Sequence, residues 1–454
     1  MTKYTISGGT PLHGEVQIHG AKNAGFKALI ASLLCDTSSK IANLSHIGDI
    51  ETTIDVIRCL GGKVIDLGNR TLEIDPSGLN SFDAPTSCGP KSRAGAMFVG
   101  PLLAKFGKAI LPVPGGDKIG IRPIDRHLAG LEALGAKVEL IDGVFVVTAP
   151  DGLKGTNFRF PKNTHTGTET LIMAAVKAAG QTVLENAAAE PEVDNLITFL
   201  NSAGAKIVRT APRTIVVDGV SKLHGTTHKV MADRNAVVTF ACAALATKGE
   251  AFIQGADPKV LGAFLEKVRE IGGVGEVGGN GINFKWEKPL SATEIVAAPY
   301  PAFMTDWQAV WATLMTQARG ISTITETIFE NRFGYAPLLV SMGAKMELFN
   351  PQVSNPESFY NFNLADDKAE NFHGLKITGP TALSGRQVEV NDVRMGATMI
   401  LAGLVASGKT TIIDSHDQVT RGYESLAESL ISLGAAIEIT HEDDVAYKHL
   451  WDHF

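Results

Sequence analysis

The segment GAKNAGFKALIASLL (20–34) places apolar side chains at 26, 29, 30, 33 and 34, the spacing of one helix face. That pattern is one instance of a phrase that runs the length of the chain. An Ala/Leu-rich helix, a small residue and a β-branched strand recur around Ser39, Gly107, Gly180, Gly249, Gly320 and Gly408. A second phrase alternates with it: an amphipathic helix ending in Gly-Ala or Gly-Gly, then a short apolar strand. It reads LGGKVIDL at Gly61, LGAKVELI at Gly135, AGAKIVRT at Gly204, IGGVGEVG at Gly272, MGAKMELF at Gly343 and LGAAIEIT at Gly434. The intervals are 74, 69, 68, 71 and 91 residues. Such self-similarity marks a repeated supersecondary unit. Each unit is expected to hold two helices and three or four strands. Six units, three per lobe, predict two similar α/β lobes. The long fifth interval falls near 350–373, a polar stretch that reads as a loop or hairpin insertion.

Composition changes this picture little. The 454 residues include 47 glycines, about a tenth against a typical ~7%. The excess is the punctuation of the units, because glycine supplies the left-handed residue that closes a helix before a strand. A net charge of −7 argues against nucleic acid or an anionic membrane as a partner, and any anionic substrate would need a locally basic site. The longest uncharged apolar stretch, about 395–408, is too short to span a membrane. The N-terminus MTKYTISGGT has no apolar signal core. Cys35, Cys59, Cys88 and Cys242 are scattered, with no metal-type pair, so a reducing cytoplasm is expected and neither a metal nor a disulfide framework is.

Where the repeats stop being alike, chemistry is expected. Counting back from the closing residues puts Lys22, Arg93, Thr164–Thr168, Arg234, Asp306 and Arg394 at one set of helix starts. Asp49, Arg122, Glu190, Asp257, Arg332 and Arg421 fall at the other. A cation there opposes the helix dipole unless an anion shares the site. Six arginines and one lysine in such places predict converging ligands for phosphate or carboxylate. Pro114-Gly115-Gly116-Asp117-Lys118-Ile119-Gly120 reads as a glycine-hinged lid before a helix whose start holds Pro123 and Asp125. One false trail crosses the chain. Residues 403–410 (GLVASGKT) match the phosphate-loop pattern, yet a helix is expected before them and a strand after, the reverse of what that motif needs.

Taken together, G-A-K-N-A (20–24), K-S-R-A (91–94), P-G-G-x-x-I-G-x-R-P-x-D (114–125), P-x-P-x-F-x-T-D-x-Q (299–308), E-T-I-F-E-N-R (326–332), D-V-R (392–394) and R-G-Y-E (421–424) resemble the enolpyruvyl transferases. The resemblance implies an inside-out α/β barrel fold: two lobes of three βαβαββ-like units, with a cleft between them. The lobe carrying the lid would run 22–231, and residues 1–21 with 232–454 would form the second. It implies transfer of the enolpyruvyl group of phosphoenolpyruvate to the 3′-hydroxyl of UDP-N-acetylglucosamine, by addition and then loss of phosphate, with no cofactor. That reaction is the first committed step of peptidoglycan synthesis. Lys22, Arg122, Arg394 and Arg421 would hold phosphoenolpyruvate. Asn23, Arg93, the helix start Arg122-Pro123-Ile124-Asp125-Arg126, Thr164, Thr166, Gly167, Asp306 and Ile328 would hold the UDP-sugar. Arg234 and Arg332 would line the cleft. Asp306 would accept the hydroxyl proton and Asp117 would protonate C3.

Asp117 is the main departure, since many family members carry cysteine there. A carboxyl of ordinary pKa about 3.9 must be raised to serve as an acid near neutrality, and desolvation under a closed lid would do so. Arg126 replaces a usual leucine, Thr420 an aspartate, Asn235-Ala236-Val237 an Ile-Glu-Thr, and 163–167 (NTHTG) a Val-Ser-Val-Gly stretch. A shikimate-type transferase and a non-catalytic nucleotide-sugar sensor are the rival readings.

Overall fold

The computed structural model describes residues 1–84, 94–113 and 119–441. The chain forms two compact units: one takes Met1–Ile18, Asp117–Arg122 and Ala232–Phe454, the other His19–Gly116 and Pro123–Met231. The second holds helices α1 (Lys22–Ala31), α2 (Gly48–Cys59), α3 (Ala94–Met97), α4 (Val99–Phe106), α5 (Asp125–Ala133), α6 (His165–Ala175) and α7 (Pro191–Ser202). The first holds α8 (Arg234–Ala246), α9 (Gly262–Glu270), α10 (Gln308–Met315), α11 (Ala336–Ser341), α12 (Pro356–Phe359), α13 (Val393–Val405), α14 (Gln418–Gly422) and α15 (Leu426–Ser432).

Among the described residues there are six sheets, one per repeat, five of four strands and one of three. Most follow one scheme: an antiparallel hairpin extended by a third strand, with a short parallel strand at the edge. In the unit of residues 19–231, for example, Lys63–Asp66 and Leu72–Asp75 pair with Ser39–Ala42, and Thr227–Lys229 joins in parallel. In the three-stranded sheet, the parallel edge strand is reduced to one bridge from Asp83 to Ile110. In the other unit the chain's beginning completes sheets begun much later: Thr2–Ser7 lies between Lys409–Asp414 and Ala436–His441, and His13–Gln17 edges Glu250–Gln254.

The two phrases become two kinds of helix. Those of the first pack in the middle of their unit: in α8, α10 and α13 every residue but Ala236 and Val405 is buried. A helix covered on all sides needs small and apolar residues all round, hence the Ala/Leu bias. The same holds for α1, where the single stripe expected from the sequence is corrected: Ala24 to Ala31 are all buried, Lys27 included, and Leu33 and Leu34 belong to a following 3₁₀ turn. The amphipathic helices of the second phrase, such as α2 and α7, lie outside.

The glycines of the second phrase all take positive φ, from +86° at Gly272 to +107° at Gly343. At Gly61 the turn is closed by hydrogen bonds from Gly61 N–H to Arg58 O (3.0 Å) and Gly62 N–H to Ile57 O (2.9 Å). The other set is less regular. At Gly249 the left-handed residue is Lys248 (φ +60°), and the glycine meets a different need: a Cβ there would stand 2.1 Å from the Leu12 carbonyl oxygen. Residues 403–410 end α13 and lead into the strand Lys409–Asp414, so the phosphate-loop match has helix and strand in the wrong order. Among the described residues no helix is long and apolar enough to cross a membrane.

Candidate active site

In the unit of residues 19–231, α1 opens at Ala21 without a side-chain cap, and Lys22 and Asn23 form its first turn. Lys22 Nζ is 2.8 Å from the Asp49 carboxylate on α2, which offsets the cost of a cation at a helix N-terminus. The starts of α5 and α6 are tied together. Arg126 donates to the Asn163 carbonyl (3.0 Å), and the His127 ring lies 2.9 Å from the Thr166 hydroxyl. Thr164 caps α6 by accepting from the Gly167 N–H (3.2 Å). Ile124 is buried, while Pro123 and Asp125 are exposed.

Beneath the α6 start lies a cluster the sequence reading missed. Lys27, 1% exposed, sits 2.5 Å from Glu169, 0% exposed, and 3.0 Å from His165 Nε2. His165 is in turn 3.3 Å from Glu169. Burial and Lys27 push the His165 pKa down, but Glu169, with Glu190 behind it, outweighs them and the net direction is up. A lone charge inside each of two otherwise apolar or small-residue helices, FKALIA and TETLIMAA, was the available signal.

In the other unit the site is built around Asp306, in a 3₁₀ turn that leads into α10. Arg394 Nη2 is 2.7 Å from one carboxylate oxygen and Arg332 Nη2 3.4 Å from the other. Asn235 donates to Asp306 (3.4 Å) while accepting from the Trp307 indole (2.9 Å). The guanidinium of Arg234 lies over the rings of Tyr300 and Trp307, and that of Arg394 over Tyr423. These contacts leave Asp306 oriented by two cations that are themselves buried, at 4% exposure for Arg332 and 6% for Arg394.

Behind Asp306 stands Glu326, the first residue of the 326–332 motif, to which the sequence assigns no role. Glu326 is fully buried and accepts from Thr305 Oγ1 (2.7 Å), Gln308 Nε2 (2.5 Å) and the backbone N–H groups of Ile328 (2.5 Å) and Phe329 (3.1 Å). Burial pushes its pKa up, against those donors and Arg332. One carboxylate thus joins the turn that carries Asp306 to the loop that carries Ile328. Residues 119–122 dock on the same loop: the Ile121 N–H donates to the Glu330 carboxylate, Asn331 N–H to Ile119 O (3.3 Å), and Arg122 lies over the Phe329 ring. Arg122 holds a left-handed φ of +53°, a strained conformation for a side-chain-bearing residue.

The helix-start expectation needs correction. Lys22, Arg234 and Arg394 do stand in first turns. Arg122 and Arg332 precede their helices by three and four residues, and Arg421 lies near the end of the five-residue α14. At α8 and α13 the first amides are taken by the chain's own caps: Asp233 accepts from Asn235 and Ala236, Asp392 from Arg394 and Met395. Those amides are therefore already committed to carboxylates. Arg421 is placed instead by Asp414, which accepts from the Gln418 and Val419 N–H groups at 2.7 and 2.8 Å. Arg93 and Asp117 lie outside the described residues.

Six repeats of sheet and helix in two units define an α/β protein with a carboxylate held between arginines in one unit and a lysine on an uncapped helix start in the other. The family described as EPSP synthase (3-phosphoshikimate 1-carboxyvinyltransferase) matches over residues 6–430, and the chain belongs to the enolpyruvyl transferases. Among curated proteins it is 40% identical over 437 residues to UDP-N-acetylglucosamine 1-carboxyvinyltransferase 3 of Caldanaerobacter subterraneus, covering 96% of this chain and 99% of that one. It is 41% identical over 438 residues to the UDP-N-acetylglucosamine 1-carboxyvinyltransferase of Idiomarina loihiensis, with the same coverage. Among solved structures, the enolpyruvyl transferase NikO of Streptomyces tendae superposes with a TM-score of 0.84 at 23% identity, over 97% of this chain and 99% of that one. The EPSP synthase of Acinetobacter baumannii superposes with a TM-score of 0.69 at 18% identity, over 97% of this chain and all of that one. At those identities the two structures speak for the fold.

Proposed function

We propose that the protein transfers the enolpyruvyl group of phosphoenolpyruvate to the 3′-hydroxyl of UDP-N-acetylglucosamine with release of phosphate, the first committed step of peptidoglycan synthesis. The observation that carries this reading is the identity of about 40% along 96% of the chain to transferases of that name. The Asp306 site suits the chemistry. Its carboxylate, held from both sides by Arg332 and Arg394, is the proposed acceptor of the hydroxyl proton as oxygen adds to C2. Asp117 is the proposed donor of the proton that C3 gains. Elimination then returns the C3 proton and expels phosphate.

Lys22, Arg122, Arg394 and Arg421 are the proposed ligands of phosphoenolpyruvate, where cations stabilise carboxylate and phosphate charge. Asn23, Arg93, 122–126, Thr164, Thr166, Gly167, Asp306 and Ile328 are the proposed contacts of the nucleotide sugar. Arg234 is proposed to act indirectly, through Trp307 and Asn235. We infer a cytoplasmic setting without nucleic-acid or membrane partners, a reading supported by the net charge and by the free cysteines Cys35, Cys59 and Cys242.

Phosphate release with phosphoenolpyruvate and either UDP-N-acetylglucosamine or shikimate 3-phosphate tests the reading. Release with the sugar nucleotide alone is expected. Release only with shikimate 3-phosphate, or tight binding without turnover, would replace it with one of its rivals.

A further inference from the structure

The fifth repeat closes its hairpin in a way its siblings do not. Phe349 pairs with Gly374, so 24 residues, 350–373, join the two strands. The equivalent strands are joined by two residues where Ile141 pairs with Val144, Ala211 with Thr214 and Gly278 with Gly281, and by five between Asp66 and Leu72. The fold therefore does not need this length.

The extra chain is built, with an interior of its own. Tyr360, Phe362 and His373 are buried, Tyr360 stacks on Phe362 with centroids 4.8 Å apart, and His373 packs against both. Asp367 ties the far side together, 2.9 Å from His373 Nε2 and accepting from Asn371 Nδ2 at 2.9 Å. Asn350 accepts from the His373 N–H (3.0 Å) and donates to the Asn371 carbonyl (3.3 Å).

This assembly bears on one point of the proposed site. The Asn361 N–H donates to the Thr327 carbonyl at 2.6 Å. The Thr327 N–H and hydroxyl are both spent on the Ala297 carbonyl, at 3.1 and 2.7 Å. Thr327 is thus gripped on both sides, by the neighbouring strand and by the insertion, and the next residue is Ile328. On the other side of Thr327, the Glu326 N–H donates to the His373 carbonyl (2.9 Å), so the insertion meets this segment twice.

We propose that the 350–373 insertion is a positioning element for acceptor recognition: it fixes Thr327 and so sets where Ile328 meets the nucleotide sugar. The inference rests on the function proposed above, in which Ile328 contacts that substrate. It assigns no group in the insertion to the chemical step, so its effect falls on acceptor binding.

The test uses the full chain. One variant replaces 350–373 by Asp-Gly, the turn that its sibling uses at Asp142-Gly143, and keeps Phe349 opposite Gly374. A second, Asn361→Pro, removes the N–H that donates to the Thr327 carbonyl. The KM for UDP-N-acetylglucosamine should rise about fivefold or more in both, the worth of a net hydrogen bond or more. The KM for phosphoenolpyruvate should stay within about twofold of wild type, which a general loss of structure would not allow. Unchanged acceptor KM in a folded variant, or equal rises for both substrates, overturns the proposal. If the replacement variant does not fold, Asn361→Pro decides. A wild type that releases no phosphate with the sugar nucleotide overturns the proposed function, and this inference falls with it.

Discussion

Asp306 and Glu326 show how two carboxylates of one lobe come to different uses through their neighbours. Asp306 meets cations and an amide; Glu326, fully buried, accepts from uncharged donors, with Arg332 further off. Asp306→Asn should cut turnover about 100-fold or more, the usual worth of a general base, in a phosphate-release assay. Glu326→Gln turns an acceptor into a donor facing donors and should cost about 1–3 kcal/mol in urea titrations. Its pH dependence has a definite sign. Because the folded pKa is raised, wild type is favoured most below the unfolded carboxylate value of about 4.3 and loses that advantage as pH climbs through the folded one. The stability gap between wild type and Glu326→Gln should therefore narrow from pH 4 to pH 7; a widening gap would contradict the assignment. Lys27→Met leaves the buried Glu169 with His165 in place of an ammonium partner and should cost about 3–5 kcal/mol, most of it recovered in the double variant Lys27→Met/Glu169→Leu.

Caps and closures govern at the scale of elements. Asp392 holds the first amides of α13 and so the backbone of Arg394. Asp392→Ala is expected to lower stability by about 0.5–2 kcal/mol in urea titrations, and to weaken phosphoenolpyruvate binding as Arg394 loosens. Helix closures were legible from the sequence wherever backbone conformation alone requires glycine, as at Gly135 and Gly434, where φ is positive and a Cβ would meet nothing within 4 Å. At Gly249 they were not, because that glycine answers to the Leu12 carbonyl, more than 230 residues away. The caps Asp233 and Asp392 also went unread as caps. The arginines beside them suit bound anions in the sequence pattern, but the first amides are committed to the caps.

At the scale of the whole molecule, the resemblance places an aspartate where many relatives carry cysteine. If Asp117 acts as the acid, Asp117→Asn should lose turnover, Asp117→Cys should keep it, and wild-type rate should fall above neutrality more steeply than in a cysteine-bearing relative. A flat pH–rate profile to about pH 9 would count against that role, since an ordinary carboxyl is ionised well below neutrality. Fosfomycin, which alkylates the cysteine, should leave the wild-type protein active.

Several departures from the family pattern turn out to be structural partners. Arg126 ties α5 to the α6 start, Asn235 links Asp306 to Trp307, and His165 rests on the Lys27–Glu169 pair. The sequence by itself determined the sixfold repeat, the alternation of Ala/Leu-rich and amphipathic helices, and the residues at which the repeats differ. Periodicity and left-handed closures are local properties, carried by residues within a turn or two of each other. Which charges meet was decided by the tertiary structure alone. Lys27 finds Glu169 from 142 positions away, and Asp306 finds Arg394 from 88, because burial forbids an isolated charge and packing supplies its partner.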